Sequence, residues 1–472
     1  MEYIPTELNL TEEMKGASFG DKRLSKRFLR IIETCAKKPT ASFPQLEPDR
    51  SQLEAIYRFM NNENVNPDNI LEPHYLNTAK RCNEAKRIII AHDSSDFVYR
   101  GEHKPEDIGY LKGSNRGFAA HLSLAMNPQM HCFPLGVLHA EFLNRTGPKK
   151  GKRTGKQLME AKDNEALKWN RAIKASSEKL DNDTTIIHVA DREADSYNIF
   201  QQIMRQKDHF VIRANHNRTL FTKNKNSKRS QPKNLFQKGD ITSARFTREV
   251  QLSRRKKPQT SRAQKSHPRR DPRKIVLEVK AVKVRLARPA YRKKGASSLS
   301  LSFVLVQEVN PPQGEAAIEW KLLSTLPIST NEEIGFILDC YCHRWLIEEY
   351  FKAIKTGCSY KTRQQHSYHA LVNTLSVFMP IAWRLLALRS FGRSHPDLPS
   401  SLLFSQLECE VLDALGPEPL PKNATLKEIS FCIARLGGYI RSKSPPGWIT
   451  LARGMESLAL FLLGWKAARG LM

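Results

Sequence analysis

The sequence has no run of 18 apolar residues, the length a membrane-crossing helix needs. Its nearest approach, Leu375–Leu388, is interrupted by Pro380 and Arg384 and reads as a buried helix. It has no Cys-x-x-Cys pair. The eight cysteines are Cys35, Cys82, Cys132, Cys340, Cys342, Cys358, Cys409 and Cys432, and no second pair completes a zinc site beside Cys340 and Cys342. They read as reduced, buried thiols rather than a disulfide framework. There is no His-Glu-x-x-His, and no Gly-rich phosphate loop ending in Gly-Lys-Ser/Thr. Zinc hydrolysis and nucleotide-driven work are therefore not indicated. The first fifteen residues are acidic and contain no apolar core, unlike a secretory leader. No internal repeat is visible. The expectation is a soluble, cytoplasmic chain without a membrane partner.

Acid is scarce too. Asp and Glu number 48 against 76 Lys and Arg, a formal charge of +28 over 472 residues. A merely solvated surface does not need that excess. Its commonest reason is a polyanionic partner, nucleic acid before an anionic membrane surface. Hydrophobic residues make up 40%, enough for a globular chain of two or three domains.

Residues 16–66 have a helical pattern. Leu24, Phe28, Ile31 and Ile32 recur at helical intervals, with Lys22, Arg23, Lys26, Arg27 and Arg30 between them. Short helices with basic outer faces suit a DNA-binding module. Residues 86–215 alternate apolar runs with helical stretches, and Gly117–Leu143 reads as two strands joined at an Asn-Pro turn. This predicts an α/β sheet with helices on its faces. Between Gln251 and Ser300 there are 17 Lys or Arg against one Asp and one Glu. Three alternating strands follow, so the region reads as a basic β insertion with a flexible basic loop over 219–274. The tail is helical and ends in a strongly apolar helix.

Two apolar runs close on an acid. Asp93 follows "RIIIAH" and Asp191 follows "TIIHVA", each expected just past the carboxyl end of a buried strand, where α/β sheets bind ligands. Asp96 and Asp195 compete with them, but their expected places are solvent or a helix cap. In "YCHRWLIEEYFKAIKTG", read as one helix, Tyr341, Arg344, Glu348, Lys352 and Lys355 fall within about 80° of arc. Leu346, Ile347, Tyr350, Ala353 and Ile354 take the opposite face, and Glu349 is displaced from the polar stripe. A solvated face with Arg344–Glu348 and Glu348–Lys352 pairing would look the same, adding only a few tenths of a kcal/mol per pair. Three acids on two strands and a helix suit Mg²⁺, which takes few carboxylates and leaves positions for phosphate oxygens.

With "DREAD" at Asp191–Asp195 and the spacing Tyr341-x2-Arg344-x3-Glu348-x6-Lys355, the chain resembles the cut-and-paste DDE transposases of the insertion-sequence-four group. The likeness extends to "GDKRLSKR", "YRFMNN", "FVIRANH", "VNPPQGEAAIEWKLLST" and "ARLGGYI". It implies a ribonuclease-H-like mixed-sheet core with a β insertion, flanked by helical domains. The expected divisions are a DNA-end-binding domain over 1–70, a catalytic core over 71–370 with its insertion at about 219–325, and a dimerisation domain over 371–472. It implies that Asp93, Asp191 and Glu348 hold two Mg²⁺ ions, with Mn²⁺ as a substitute. Tyr341, Arg344 and Lys355 would hold DNA phosphates, Trp320 would stack on a flipped base, and Arg213 and Arg58 would also touch DNA. The partners implied are double-stranded transposon ends, target DNA and a second copy of the chain, paired through Leu458–Trp465, in the nucleoid of a bacterial cell. A catalytically silent DNA-binding descendant and a structure-specific nuclease are the alternatives. The intact acid set does not favour the first.

Overall fold

The computed structural model describes residues 10–99, 104–111, 115–130, 132–146, 165–221, 233–252, 254–255, 264, 268–290, 292, 295–394, 397–416, 419–421, 423–440 and 445–470. Much of the basic loop expected over 219–274 lies outside the described residues. Contacts divide the chain into two compact units. One comprises 1–186 and 344–472, the other 187–343.

The first unit begins with five helices: α1 (Leu10–Glu13), α2 (Lys22–Lys37), α3 (Phe43–Leu46), α4 (Arg50–Asn61) and α5 (Pro67–Ala85). Asp21, Asp49 and Asn66 cap α2, α4 and α5 by accepting backbone N–H bonds in the first turn. The periodic apolar residues do what their spacing predicts: Phe28, Ile31 and Ile32 are buried, and Phe19, Phe28 and Phe59 form one aromatic cluster. The unit's sheet has the order β3-β2-β1, all antiparallel, from β1 (Arg87–Tyr99), β2 (Arg116–Asn127) and β3 (Phe133–Leu143). A short 3₁₀ turn at Pro128–Met130 follows β2 in the expected hairpin. Helix α6 (Leu167–Ser177) covers β2 and β3. The C-terminal helices are α11 (Tyr368–Ser394), α12 (Gln406–Leu415), α13 (Leu426–Leu436) and α14 (Trp448–Ala468), numbered after those of the second unit. Helix α11 is apolar and long enough to cross a membrane, but its apolar stretch is almost wholly buried in the protein.

The second unit holds the sheet β4-β5-β9-β8-β7-β6, made of β4 (Thr185–Ala190), β5 (His209–Arg213), β6 (Ala244–Leu252), β7 (Arg273–Ala287), β8 (Ser298–Glu308) and β9 (Glu319–Ser324). The unit boundary falls inside β4. β4 and β5 are parallel and the remaining pairs antiparallel, so the fold is mixed α/β as expected. Helices α7 (Tyr197–Arg205), α8 (Leu235–Asp240) and α9 (Asn331–His343) complete it. Gly239 lets α8 approach β8: a Cβ there would lie 2.6 Å from the Phe303 ring. The three insertion strands read from alternation are present as β7, β8 and β9. Strand β6 was not read from the sequence although Ala244, Phe246, Val250 and Leu252 alternate with polar residues, because Arg248 breaks the apolar face; it pairs with β7 from Ala244↔Lys280 to Leu252↔Arg273.

A buried ionic cluster fixes α1 and α5 to the sheet. Arg81 donates to both carboxylate oxygens of Glu13 at 2.8 Å and to the Leu135 carbonyl at 2.7 Å, beneath the Trp383 ring. The Val137 N–H donates to His74 Nε2, which leaves Nδ1 to carry the proton and donate to Glu13 at 2.6 Å. Burial alone would raise the Glu13 carboxyl, but hydrogen bonds from Arg81 and His74 outweigh it and hold it below the usual range. Burial keeps the His74 imidazole below its usual range. Glu13→Ala strands Arg81 as an uncompensated buried cation, and we expect roughly 3–5 kcal/mol lost in urea unfolding. Because His74 accepts a proton more readily unfolded than folded, stability should fall as pH drops below about 6.5. The lowered Glu13 carboxyl extends that fall as pH drops below about 4.5. A His74→Gln variant should lose the first part of the dependence.

Candidate active site

In the first unit the acids meet a helix. β1 does not stop at Asp93. It continues to Tyr99, because each polar residue finds a cross-strand partner: His92 shares a hydrogen bond with Ser123, its register partner, and Ser94 with His121, both at 2.9 Å. Asp93 therefore lies mid-strand opposite Leu122 rather than past the strand end. His-x-Ser on both β1 and β2 was the sequence signal for this, and the polarity of "HDSSD" hid it. The alternate residues, Asp93 and Ser95, meet the segment Arg344–Lys355.

That segment is not one helix. α9 ends at His343, Arg344 sits in a turn with helical backbone angles, α10 spans Trp345–Lys352, and a π turn covers Ala353–Gly357. Arg344 reaches Asp93 at 3.4 Å and Glu348 at 2.9 Å, with its side chain only 11% exposed. Two carboxylates thus converge on one cation, and the oxygen donor set is one a hard divalent ion takes. Among the described residues no group of three or more His, Cys, Asp or Glu side chains is gathered to hold a metal. Lys355, on the π turn, donates to Ser95 Oγ and to the Asp96 carbonyl, both at 2.7 Å, and lies 4.7 Å from the centre of the Phe97 ring. Burial, then the charge of Lys361, lowers its ammonium to about 8. Glu349 points elsewhere, pairing with Lys352 at 2.6 Å and Arg389 at 3.3 Å.

In the second unit Asp191 does follow a strand end. It stands after Ala190 of β4 and opens a 3₁₀ turn, Arg192–Ala194. The Tyr341 phenol donates to Asp191 Oδ1 at 3.2 Å. Arg213, ending β5, donates to the Tyr341 hydroxyl at 3.4 Å and to the Glu319 carbonyl at 2.9 Å. Half-buried Trp320 packs edge-on to the Tyr341 ring, 5.7 Å between centroids. Asp195 is neither in solvent nor a helix cap. Its carboxylate is fully buried, accepts from the Asn215 and His216 amides at 2.7 and 2.8 Å, and is gripped by Arg218 at 2.6 Å. The reason is local: the loop leaving β5 presents two amides that need an acceptor.

The structure thus groups Asp93, Arg344, Glu348 and Lys355 in one unit, and Asp191, Arg213, Trp320 and Tyr341 in the other. Arg58 joins neither group; it is exposed on α4 and paired with Glu54 at 2.9 Å. Ser95, Asp195 and Arg218 were not read as site residues, since their partners are distant in sequence.

Asp195→Ala should unpair Arg218 and strand two amides, costing roughly 3–5 kcal/mol. Urea unfolding measures the loss, and amide hydrogen exchange should accelerate at Asn215 and His216. Asp195→Asn, which keeps one acceptor oxygen, should cost less.

Three family descriptions match the chain: Transposase DNA-binding over residues 7–65, Transposase DDE domain over 84–377, and Transposase Tn5 dimerisation domain over 380–472. Among solved structures it is similar to a piggyBac transposase synaptic complex with hairpin DNA, at 11% identity and a TM-score of 0.34, covering 94% of this chain and 87% of that one. That likeness is too slight to add to the family matches. The DDE domain carries the ribonuclease-H-like fold and works with divalent metal ions in the family generally. With more than half its length in that domain, between a DNA-binding and a dimerisation region, the chain belongs to the DDE transposases.

Proposed function

We propose that the chain is an active cut-and-paste transposase whose acidic triad is Asp93, Asp191 and Glu348. The observation that carries this is Arg344, a single guanidinium drawing Asp93 and Glu348 onto one cation seat. Asp191 joins them through the family motif and its place after β4. The three carboxylates would hold divalent ions, Mg²⁺ with Mn²⁺ as a substitute. When bound, these neutralise charge at the scissile phosphate and make the attacking oxygen a stronger nucleophile.

The chain's own residues bind and orient the DNA. Arg344 offers a planar fork suited to a phosphate, and Lys355 a point charge in the same unit. Trp320, half-buried and not sealed in the core, keeps aromatic surface for a flipped base. The proposed sequence of reactions begins with water attacking the phosphodiester at the transposon end, which frees a 3′-OH. That hydroxyl attacks the opposite strand to make a hairpin, which is then opened, and the 3′-OH finally attacks target DNA. In each step one P–O bond forms to the attacking oxygen as another breaks, and the attacking oxygen gives up its proton. The second half of α14 exposes Leu460, Phe461 and Leu463, a face suited to a second copy, whereas Leu458 is core.

Three outcomes test this reading. With Mg²⁺ and a duplex carrying the element's own terminal repeat, Glu348→Ala should bind but not cleave, while Glu349→Gln should still cleave once folded. Equal cleavage by Glu348→Ala and the parent chain would sink the assignment. A phosphate neighbour favours the charged ammonium, so end binding should weaken as pH rises above about 8, where free Lys355 loses its proton. Lys355→Arg, which stays charged, should flatten that slope. Finally, six to ten phosphate contacts would cost roughly 10³–10⁵ in affinity between about 50 and 200 mM salt. A flat salt response would exclude the basic surface as the DNA grip.

A further inference from the structure

We propose that the end of β7 and the turn joining it to β8 form a second DNA surface, separate from the candidate active site. Lys283, Arg285, Arg288 and Arg292 would hold the phosphates of a duplex there, whatever its sequence. The inference rests on DNA as the chain's partner and not on the acidic triad. Its starting point is charge pairing. From Val279 to Gln307 the sequence contains no Asp or Glu. In the first half of β7 each basic side chain has a carboxylate: Arg273 meets Glu308 and Glu315, Lys274 meets Glu249, and Lys280 meets Glu278. Beyond Lys280 the pairing stops. Lys283 donates to Ser302 Oγ at 2.8 Å, Arg285 to Ser298 Oγ at 2.9 Å and Arg288 to the Gly295 carbonyl at 2.7 Å. The Arg285 guanidinium lies 4.7 Å from the centre of the Phe221 ring, and that of Arg292 5.7 Å from the centre of the Tyr197 ring. All of these partners are neutral. One terminal nitrogen of Arg292 is buried with no hydrogen-bond partner among the described residues.

Four like charges in one short stretch repel one another, and the described residues supply no acid to offset them. A polyanion does. Lys283 and Arg285 are exposed and two residues apart on β7, so they project from one face of the sheet. Their register partners on β8 are Ser302 and Ser300, and Ser300 is exposed as well. Lysine, arginine and serine side chains are groups that meet phosphate oxygens, contacts that fix a duplex in place without reading its bases. The neutral hydrogen bonds hold the cations in position without cancelling their charge, so less side-chain freedom is lost on binding. Register sets the surface apart from the site within the second unit. Trp320 pairs with Val306, and Val306 with Val279. Arg285 is six residues further along β7, about 20 Å away at the rise of a strand. The phosphates held here are therefore not those beside Trp320.

The test compares the full-length chain with the double variant Arg285→Gln, Arg288→Gln. A second double variant, Lys86→Gln, Lys174→Gln, removes the same charge from exposed, carboxylate-paired lysines elsewhere. Binding to a fluorescent duplex of unrelated sequence is measured by anisotropy in EDTA across a salt series. Each lost phosphate contact removes about 0.9 from the slope of log affinity against log salt, so the arginine double should lower the slope by about 1.8. The lysine double should leave it unchanged. If the arginine double folds poorly, Lys283→Gln alone should lower the slope by about 0.9. At saturating terminal-repeat duplex with Mg²⁺, cleavage by the arginine double should stay within about twofold of the parent. The proposal is overturned if the slope does not move, or if the lysine double lowers it as much. It is also overturned if cleavage at saturation collapses, which would place the arginines in the site, or if the arginine double loses binding to anionic phospholipid vesicles and keeps it to DNA. A parent chain that binds the unrelated duplex but cuts no terminal repeat would sink the transposase reading and leave the binding comparison to decide this one.

Discussion

Asp93 and Glu348 are carboxylates that the fold brings to one guanidinium, which offsets the repulsion between them. Arg344 supplies that guanidinium in the free chain. Much of the first unit's geometry serves this constraint. β1 has to run straight through a polar stretch, so the face away from the helix is secured by two histidine–hydroxyl pairs, His92–Ser123 and Ser94–His121. Arg344 has to stand at the head of α10, four residues before Glu348, so that one guanidinium spans both acids. In a chain carrying +28, negative charge is the rarer commodity, and the fold gathers a share of it here.

The second unit solves a related problem by burial. Asp191 and Asp195 are four residues apart on the same turn, yet they do opposite work. Asp195 is sealed, with its carboxylate taken up by two amides and Arg218. Asp191 stays half-exposed and keeps one oxygen unclaimed among the described residues. The buried acid ties the turn to the loop leaving β5, and the more open one keeps a carboxylate oxygen accessible. Neither could take the other's place: a sealed carboxylate reaches nothing, and an open one would leave two amides unpaired.

Local rules carried the sequence reading a long way. The Asn-Pro turn between β2 and β3, the periodicity of α2, the alternation of β7 and β8, and Asp191 after a buried run were all legible, because each is decided by residues a few positions apart. What failed was decided at a distance. Polar residues after "RIIIAH" looked like a strand end because their partners, Ser123 and His121, lie far along the chain. α5 went unseen because its buried face carries His74, Thr78 and Arg81 while Leu76 is exposed, so its apolar residues draw no clear stripe. β6 alternates weakly, its apolar face broken by Arg248, and its pairing with β7 completes what that pattern leaves faint. The run from Tyr341 to Gly357 looked like a single helix, whereas it breaks at Arg344 and widens into a π turn at Ala353. Neither event has a glycine or proline to announce it before Gly357. Helical geometry nonetheless separated Glu348 from Glu349, since the two sit on one continuous piece of α10.

That separation has a mechanical meaning. Glu349 holds Arg389 on α11, and Arg389 lies 4.2 Å from the centre of the Trp448 ring at the start of α14. The two adjacent glutamates therefore face different dependants, one the Arg344–Asp93 group and the other the helix that carries the exposed Leu460–Phe461 edge. On the proposed reading, a change at the first stops the reaction and leaves the assembly intact. A change at the second would loosen the mount of the assembly helix while leaving the chemical groups in place. A count of subunits on the DNA would therefore separate the two glutamates, lowered by a change at Glu349 and unmoved by one at Glu348.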